Sequence, residues 1–111
     1  MKIINREDIK PIEDACEKLQ EMYESNNLSI SYATITGKSQ SHKHNIMEEI
    51  YYIIKGKGVI KIGDEFTKIK SGDIIPIPKE IYHSIEEVGE PIELVVVTYP
   101  KYIKEDLIYE K

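Results

Sequence analysis

The stretch GKSQSHKHNIMEEIYYIIKG, residues 37–56, decides how this chain folds. Its second half, Ile50-Tyr51-Tyr52-Ile53-Ile54, is a β-forming apolar run that stops before Gly56, and it reads as a strand. Upstream, His42 and His44 are separated by one residue. On a strand successive side chains point to opposite faces, so residues two apart share a face. His-x-His in a strand therefore aims two imidazoles at one point. The residues from Asn45 to Glu48 leave room for a turn, and Glu49 then opens the next strand.

Outward from this stretch the β pattern continues. Runs of Ile, Val, Tyr and Thr alternate with turns that carry Gly, Asp and Ser. Strands are expected near Leu28–Thr36, His42–Asn45, Ile50–Ile54, Gly58–Ile62, Glu65–Ile69, Asp73–Ile77, His83–Glu87 and Ile92–Tyr99. Gly63-Asp64 is a two-residue hairpin signal, and Ser71-Gly72-Asp73 is a second turn. Many short strands at near-regular spacing point to a sandwich or barrel. Before Leu28 the pattern differs. Lys2–Ile4 suits a short strand. From Pro11 to Glu24, Ile12, Ala15, Cys16, Leu19, Met22 and Tyr23 recur at helical spacing, and Pro11 fits a first helical position. The domain division is an N-terminal arm over 1–27, a β-barrel over 28–100 and a charged tail over 101–111 that forms a helical turn or a loose end.

Composition bounds the function. The 111 residues suffice for one core, and a hydrophobic share of 41% against 32% charged is a globular balance. A net charge of -5, with lysines scattered among acids, supplies no basic face for nucleic acid. No apolar stretch approaches membrane-spanning length, and no leader-like segment opens the chain, so a cytoplasmic protein is expected. Cys16 is the only cysteine, which excludes an intrachain disulfide and reads as a buried small hydrophobe. Arg6 is the only arginine, so a site built on several arginine–phosphate clamps is excluded.

The third and last histidine is His83, on a later strand after Pro78-Lys79-Glu80. A lone strand histidine is usually a surface or hydrogen-bonded residue, and His-x-His alone is weak evidence. Order and spacing add to it. Gly37 precedes His42, and six residues separate Glu49 from Gly56. Five separate Gly72 from Pro78, and His83 follows five positions after Pro78. Three neutral imidazoles and one carboxylate suit a borderline divalent metal, with one or two coordination positions left open. The neighbouring Glu48 faces the opposite way to Glu49.

These two motifs resemble those of the cupin superfamily, specifically its small single-domain members. The first family motif is Gly, five residues, His-x-His, three or four residues, Glu, six residues, Gly. It is matched here from Gly37 to Gly56. The second is Gly, five residues, Pro-x-Gly, two residues, His, three residues, Asn, and it is matched from Gly72 to Glu87. Fifteen residues separate the two. Three positions depart: Gly37 is one residue too close to His42, Glu80 stands where the family prefers Gly, and Glu87 replaces Asn. None of the three is a metal ligand.

The resemblance implies an all-β fold, a cupin jelly-roll β-barrel with a short helical or irregular N-terminal arm, and a homodimer. It implies one divalent transition metal per chain (Fe, Mn, Zn, Ni or Cu) on His42, His44, Glu49 and His83. Alternation puts Gln40 on the face of His42 and His44, and Tyr51 on that of Glu49, as candidate substrate-binding residues. Ile53, Ile75, Ile77 and Ile85 should line the same interior, while Ile50, Tyr52 and Ile54 face outward, where a partner would cover them. A small-molecule ligand is expected. The function is then a metalloenzyme of dioxygenase, isomerase or lyase type, or else a non-catalytic binding or sensor module.

Overall fold

A computed structural model describes residues 2–13 and 18–111. The chain is an all-β barrel formed by one curled eight-stranded sheet. Its strands are β1 (Lys18–Glu24), β2 (Ser29–Ile35), β3 (His42–Lys43), β4 (Glu48–Ile62), β5 (Glu65–Lys70), β6 (Ile74–Ile77), β7 (His83–Tyr99) and β8 (Ile108–Tyr109). Two strands organise the rest. The first half of β4 lies between β6 and β7, and its second half between β5 and β7. The stretch of β7 from Ile92 to Thr98 also pairs with β2.

The two expected runs Ile50–Ile54 and Gly58–Ile62 are one bent strand, and so are His83–Glu87 and Ile92–Tyr99. Their breaks in pattern are bulges: the β4–β7 register shifts repeatedly between Ile53 and Gly58. Gly56 sits in this bend at φ 94°. A Cβ there would lie 2.1 Å from the Pro91 carbonyl oxygen, so only glycine lets the two strands come this close. The hairpin at Gly63-Asp64 forms as read, closing the Ile62–Glu65 pair.

The interior follows the alternation. Ile35, Ile53, Ile60, Ile92 and Leu94 are essentially fully buried, with Tyr51, Ile77 and Ile85 among them and Ile75 packed against them. Tyr52 and Ile54 face outward and are exposed.

The expectation of a helix over Pro11–Glu24 fails where the chain is described. Lys18–Glu24 is a strand that pairs with β2, and Ile12 makes an isolated bridge to Leu19. The edge of β2 offers a row of backbone groups whose pairing outweighs local periodicity. A bulge between Glu21 and Tyr23 inserts one extra residue. It converts the two-residue alternation into the three-residue spacing of Leu19 and Met22, which imitates a helix. Ala15 and Cys16 lie outside the described residues. Lys2–Ile4 is not a strand, and residues 2–13 are irregular apart from a 3₁₀ turn at Arg6–Asp8 and the bridge at Ile12. Buried Gln20 tethers it, donating to the carbonyls of Arg6 (2.7 Å) and Ile9 (2.8 Å).

Candidate metal centre

The four residues singled out in the sequence meet at one end of the barrel. His42 opens β3 and pairs directly with His83, the first residue of β7. His44 lies one residue beyond β3, and Glu49 is the second residue of β4. One ligand atom from each lies within 4.8 Å of the others. All four are buried, between 2% and 7% exposed, so bulk solvent does not reach them. Glu48 is only half-buried and belongs to no such group.

Hydrogen bonds fix the tautomer of each ring. Nδ1 of His42 meets the Gln40 carbonyl at 3.0 Å, Nδ1 of His44 the Asp106 carbonyl at 2.9 Å, and Nδ1 of His83 the Ile81 carbonyl at 3.3 Å. A carbonyl oxygen only accepts, so each Nδ1 carries the proton and each neutral ring keeps its lone pair on Nε2. Nε2 of His44 lies 3.0 Å, and Nε2 of His83 3.1 Å, from Oε1 of Glu49. These three atoms are buried without a hydrogen-bond donor. Acceptors at such distances require a positive charge between them, either a proton or a cation.

The proton affinities agree. Burial and then repulsion from His83 lower the pKa of His42 to about 4. Burial would also lower that of His44, but the Glu49 carboxylate outweighs it and raises the value. Burial would raise Glu49, yet the adjoining imidazoles of His44 and His83 lower its pKa to about 2. The cluster thus sets a carboxylate held ionised beside imidazole nitrogens, the charge pattern a cation would complete.

A cavity of about 30 Å³ adjoins the cluster, lined by Leu19, Ser31, Tyr51, Val96, Thr98, Tyr102 and Leu107 together with His42, His44 and Glu49. Tyr51 is in this wall as its parity required. Gln40 is not. Its side chain is exposed on a separate surface groove, and only its carbonyl reaches the cluster, through His42. Parity could not be carried back from His42, because β3 begins there.

Two contributors were missed. Thr98 is 4% exposed, lines the cavity and has no hydrogen-bond partner for its hydroxyl among the described residues. The alternation Ile92, Leu94, Val96 already placed it inward. Asp106 lies in the tail, in a 3₁₀ turn at Lys104–Asp106, and is 4% exposed. Burial would raise its pKa, but three backbone N–H groups from the loop between His44 and Glu49 lower it.

Arg6, Lys43 and Lys55 are engaged elsewhere. Arg6 lies 4.3 Å over the Tyr32 ring and 3.4 Å from Glu93, outside the barrel. Lys43 sits 4.9 Å over Tyr82, and Lys55 pairs with Glu93 at 3.8 Å.

A family model described as "Cupin domain" matches residues 31–98. The uncharacterized protein MJ1618 of Methanocaldococcus jannaschii is 37% identical over 81 residues, which cover 72% of this chain and 65% of that protein. This chain thus spans slightly under two thirds of that relative's length. SCO3923 of Streptomyces coelicolor is 28% identical over 75 residues, 67% of this chain and 71% of that one. Among solved structures, Streptomyces PAC13 with uridine superposes with a TM-score of 0.88 at 14% identity, covering 100% of this chain and 92% of that one. Pac13 is described as a nucleoside dehydratase. The polyketide cyclase RemF of Streptomyces resistomycificus gives 0.77 at 16% identity, covering 96% and 89%. At these identities the structural likeness shows the fold.

Proposed function

We propose that this chain, which belongs to the cupin domain family, holds one divalent transition-metal ion on His42, His44, His83 and Glu49 and uses it to bind a small organic molecule. The observation that carries the reading is the convergence of two bare imidazole nitrogens on a carboxylate oxygen, at 3.0 and 3.1 Å, with no donor between them. Three imidazoles and a carboxylate suit Fe, Mn, Ni, Cu or Zn and keep a position open. When bound, the metal supplies Lewis acidity and a template for oxygen ligands.

The chain's own residues set the rest. The backbone carbonyls of Gln40, Ile81 and Asp106 hold the three rings in one tautomer. Thr98 offers an unpartnered hydroxyl to a ligand in the cavity, and Tyr51 forms its wall. A cavity of about 30 Å³ holds one water, so a larger ligand must displace Tyr102 or Leu107. A neighbouring groove of about 230 Å³, lined by Glu21, Met22, Tyr23 and Glu24, shares Ser31 and Tyr102 with the cavity and takes the ligand's body.

The ligand is a largely apolar oxygen chelator such as a diketone, enol, hydroxy acid or catechol. No lysine or arginine lines the cavity, and a phosphate dianion there would lack compensation. We favour an enzyme of the dioxygenase, isomerase or lyase type, in keeping with the dehydratase and cyclase named among the structural neighbours. One observation favours a binding or sensor module: beyond the cluster, the described residues of the cavity lining carry hydroxyls but no further carboxylate or imidazole. The exposed face of Tyr52, Ile54 and Ile74 supports a homodimer. A thermal-shift screen on metal-loaded and metal-free protein tests the reading. Oxygen chelators should stabilise only the loaded form, and strong metal-independent binding of a sugar phosphate would overturn it.

A further inference from the structure

The loop from Asn45 to Met47 joins two candidate ligands, His44 and Glu49, and lies outside the strand ladder. A loop left to itself would let those ligands drift relative to each other. Here a single side chain from the far end of the sequence holds it. Oδ1 of Asp106 accepts from the N–H of Asn45 at 2.9 Å. Its Oδ2 accepts from Ile46 at 2.9 Å and from Met47 at 2.8 Å. The backbone carbonyl of the same residue takes the Nδ1 proton of His44 at 2.9 Å. The surrounding segment is fastened along the same edge. Ile108 and Tyr109 of β8 pair with β3, the Glu110 N–H donates to the Ser41 carbonyl at 3.0 Å, and the Ile103 N–H reaches Met47 Sδ at 3.1 Å.

We propose that Asp106 is a positioning residue of the metal centre, whose carboxylate sets the His44-to-Glu49 loop and whose carbonyl orients His44, so that the C-terminal segment must dock for the four ligands to be in place. The inference rests on the reading of the cluster as a metal site. Three successive N–H groups around one carboxylate form an anion nest built from the ligand loop itself. The second-sphere bond to His44 fixes its tautomer and makes Nε2 a stronger donor. By linkage, a metal ion that tightens the ligands must also tighten the docked segment.

Asp106→Asn tests this while keeping side-chain size, because an amide NH₂ must face at least one backbone N–H. With Co²⁺ as probe, Asp106→Asn should lower affinity about 10- to 100-fold and change the visible d–d band of the bound ion. Glu110→Ala, which removes only the contact to Ser41, should leave affinity within about twofold and the band unchanged. Equal affinity and an identical band in wild type and Asp106→Asn would overturn the proposal. Amide hydrogen exchange provides a second arm that needs neither metal nor the variant. In metal-free wild type the N–H groups of Asn45, Ile46 and Met47 should all be strongly protected. Exchange at open-loop rates would overturn the role of Asp106. Wild type that takes up no Co²⁺ would undo the metal reading instead, and the exchange arm would still report on the clamp.

Discussion

His42 is 4% exposed, and its pKa falls from an ordinary 6.5 to about 4. The folded protein therefore keeps it neutral, while the unfolded chain protonates it near pH 6.5. Stability contributed by the neutral ring is full above pH 6.5 and is lost as pH falls through the window from 6.5 to about 4. Between pH 7 and pH 4.5 that loss comes to about 2.5 kcal/mol for one group. His44 acts in the opposite sense, because its raised pKa favours the protonated form. The wild-type profile alone is thus a sum, and the comparison with His42→Leu isolates His42. Urea unfolding of metal-free protein, followed by far-ultraviolet circular dichroism at the two pH values, measures it. His42→Leu should lose about 2.5 kcal/mol less than wild type on going from pH 7 to pH 4.5. Equal losses in the two proteins would refute the view that His42 stands buried, neutral and ready to donate.

Three further outcomes are expected. Thr98→Val should raise the stability of metal-free protein by about 1 kcal/mol, a few degrees in Tm, and weaken chelator binding to loaded protein; a loss of stability would show that the hydroxyl has a partner. Light scattering at micromolar concentration should give twice the chain mass, and Tyr52→Glu, on the exposed apolar face, should halve it; a monomeric wild type would remove the dimer. Gly56→Ala should cost more than about 3 kcal/mol in urea unfolding, since its Cβ meets backbone rather than a movable side chain.

The His/Glu cluster and most of the barrel were legible because both obey short-range rules. Alternation carried Tyr51, Ile53, Ile77 and Ile85 inward, and two spaced motifs marked all four members of the cluster. Alternation failed where the ladder is irregular. The bulge in β1 disguised a strand as a helix, and the start of β3 cut Gln40 off from the parity of His42. Glu80 is a different case. It keeps the left-handed turn usual for glycine, at φ 66°, and its N–H reaches the His44 carbonyl at 2.7 Å. That bond, to the carbonyl of a candidate ligand, offsets the strain of a side chain there. Asp106 could not have been read at all. It is one acid in a charged tail, and its partners are about sixty residues away. Only the closed fold brings them together.

Elemental analysis of protein purified without added metal, run beside ligand variants, tests the central claim most directly. About one divalent transition-metal ion per chain is expected in wild type, as one four-ligand site implies. His42→Ala, His44→Ala and His83→Ala should each lose nearly all of it, Glu49→Ala should lose less because water can take the carboxylate's place, and Glu48→Ala should match wild type. A wild-type protein that carries no metal, and acquires none on dialysis against Zn²⁺ or Co²⁺, would contradict the account.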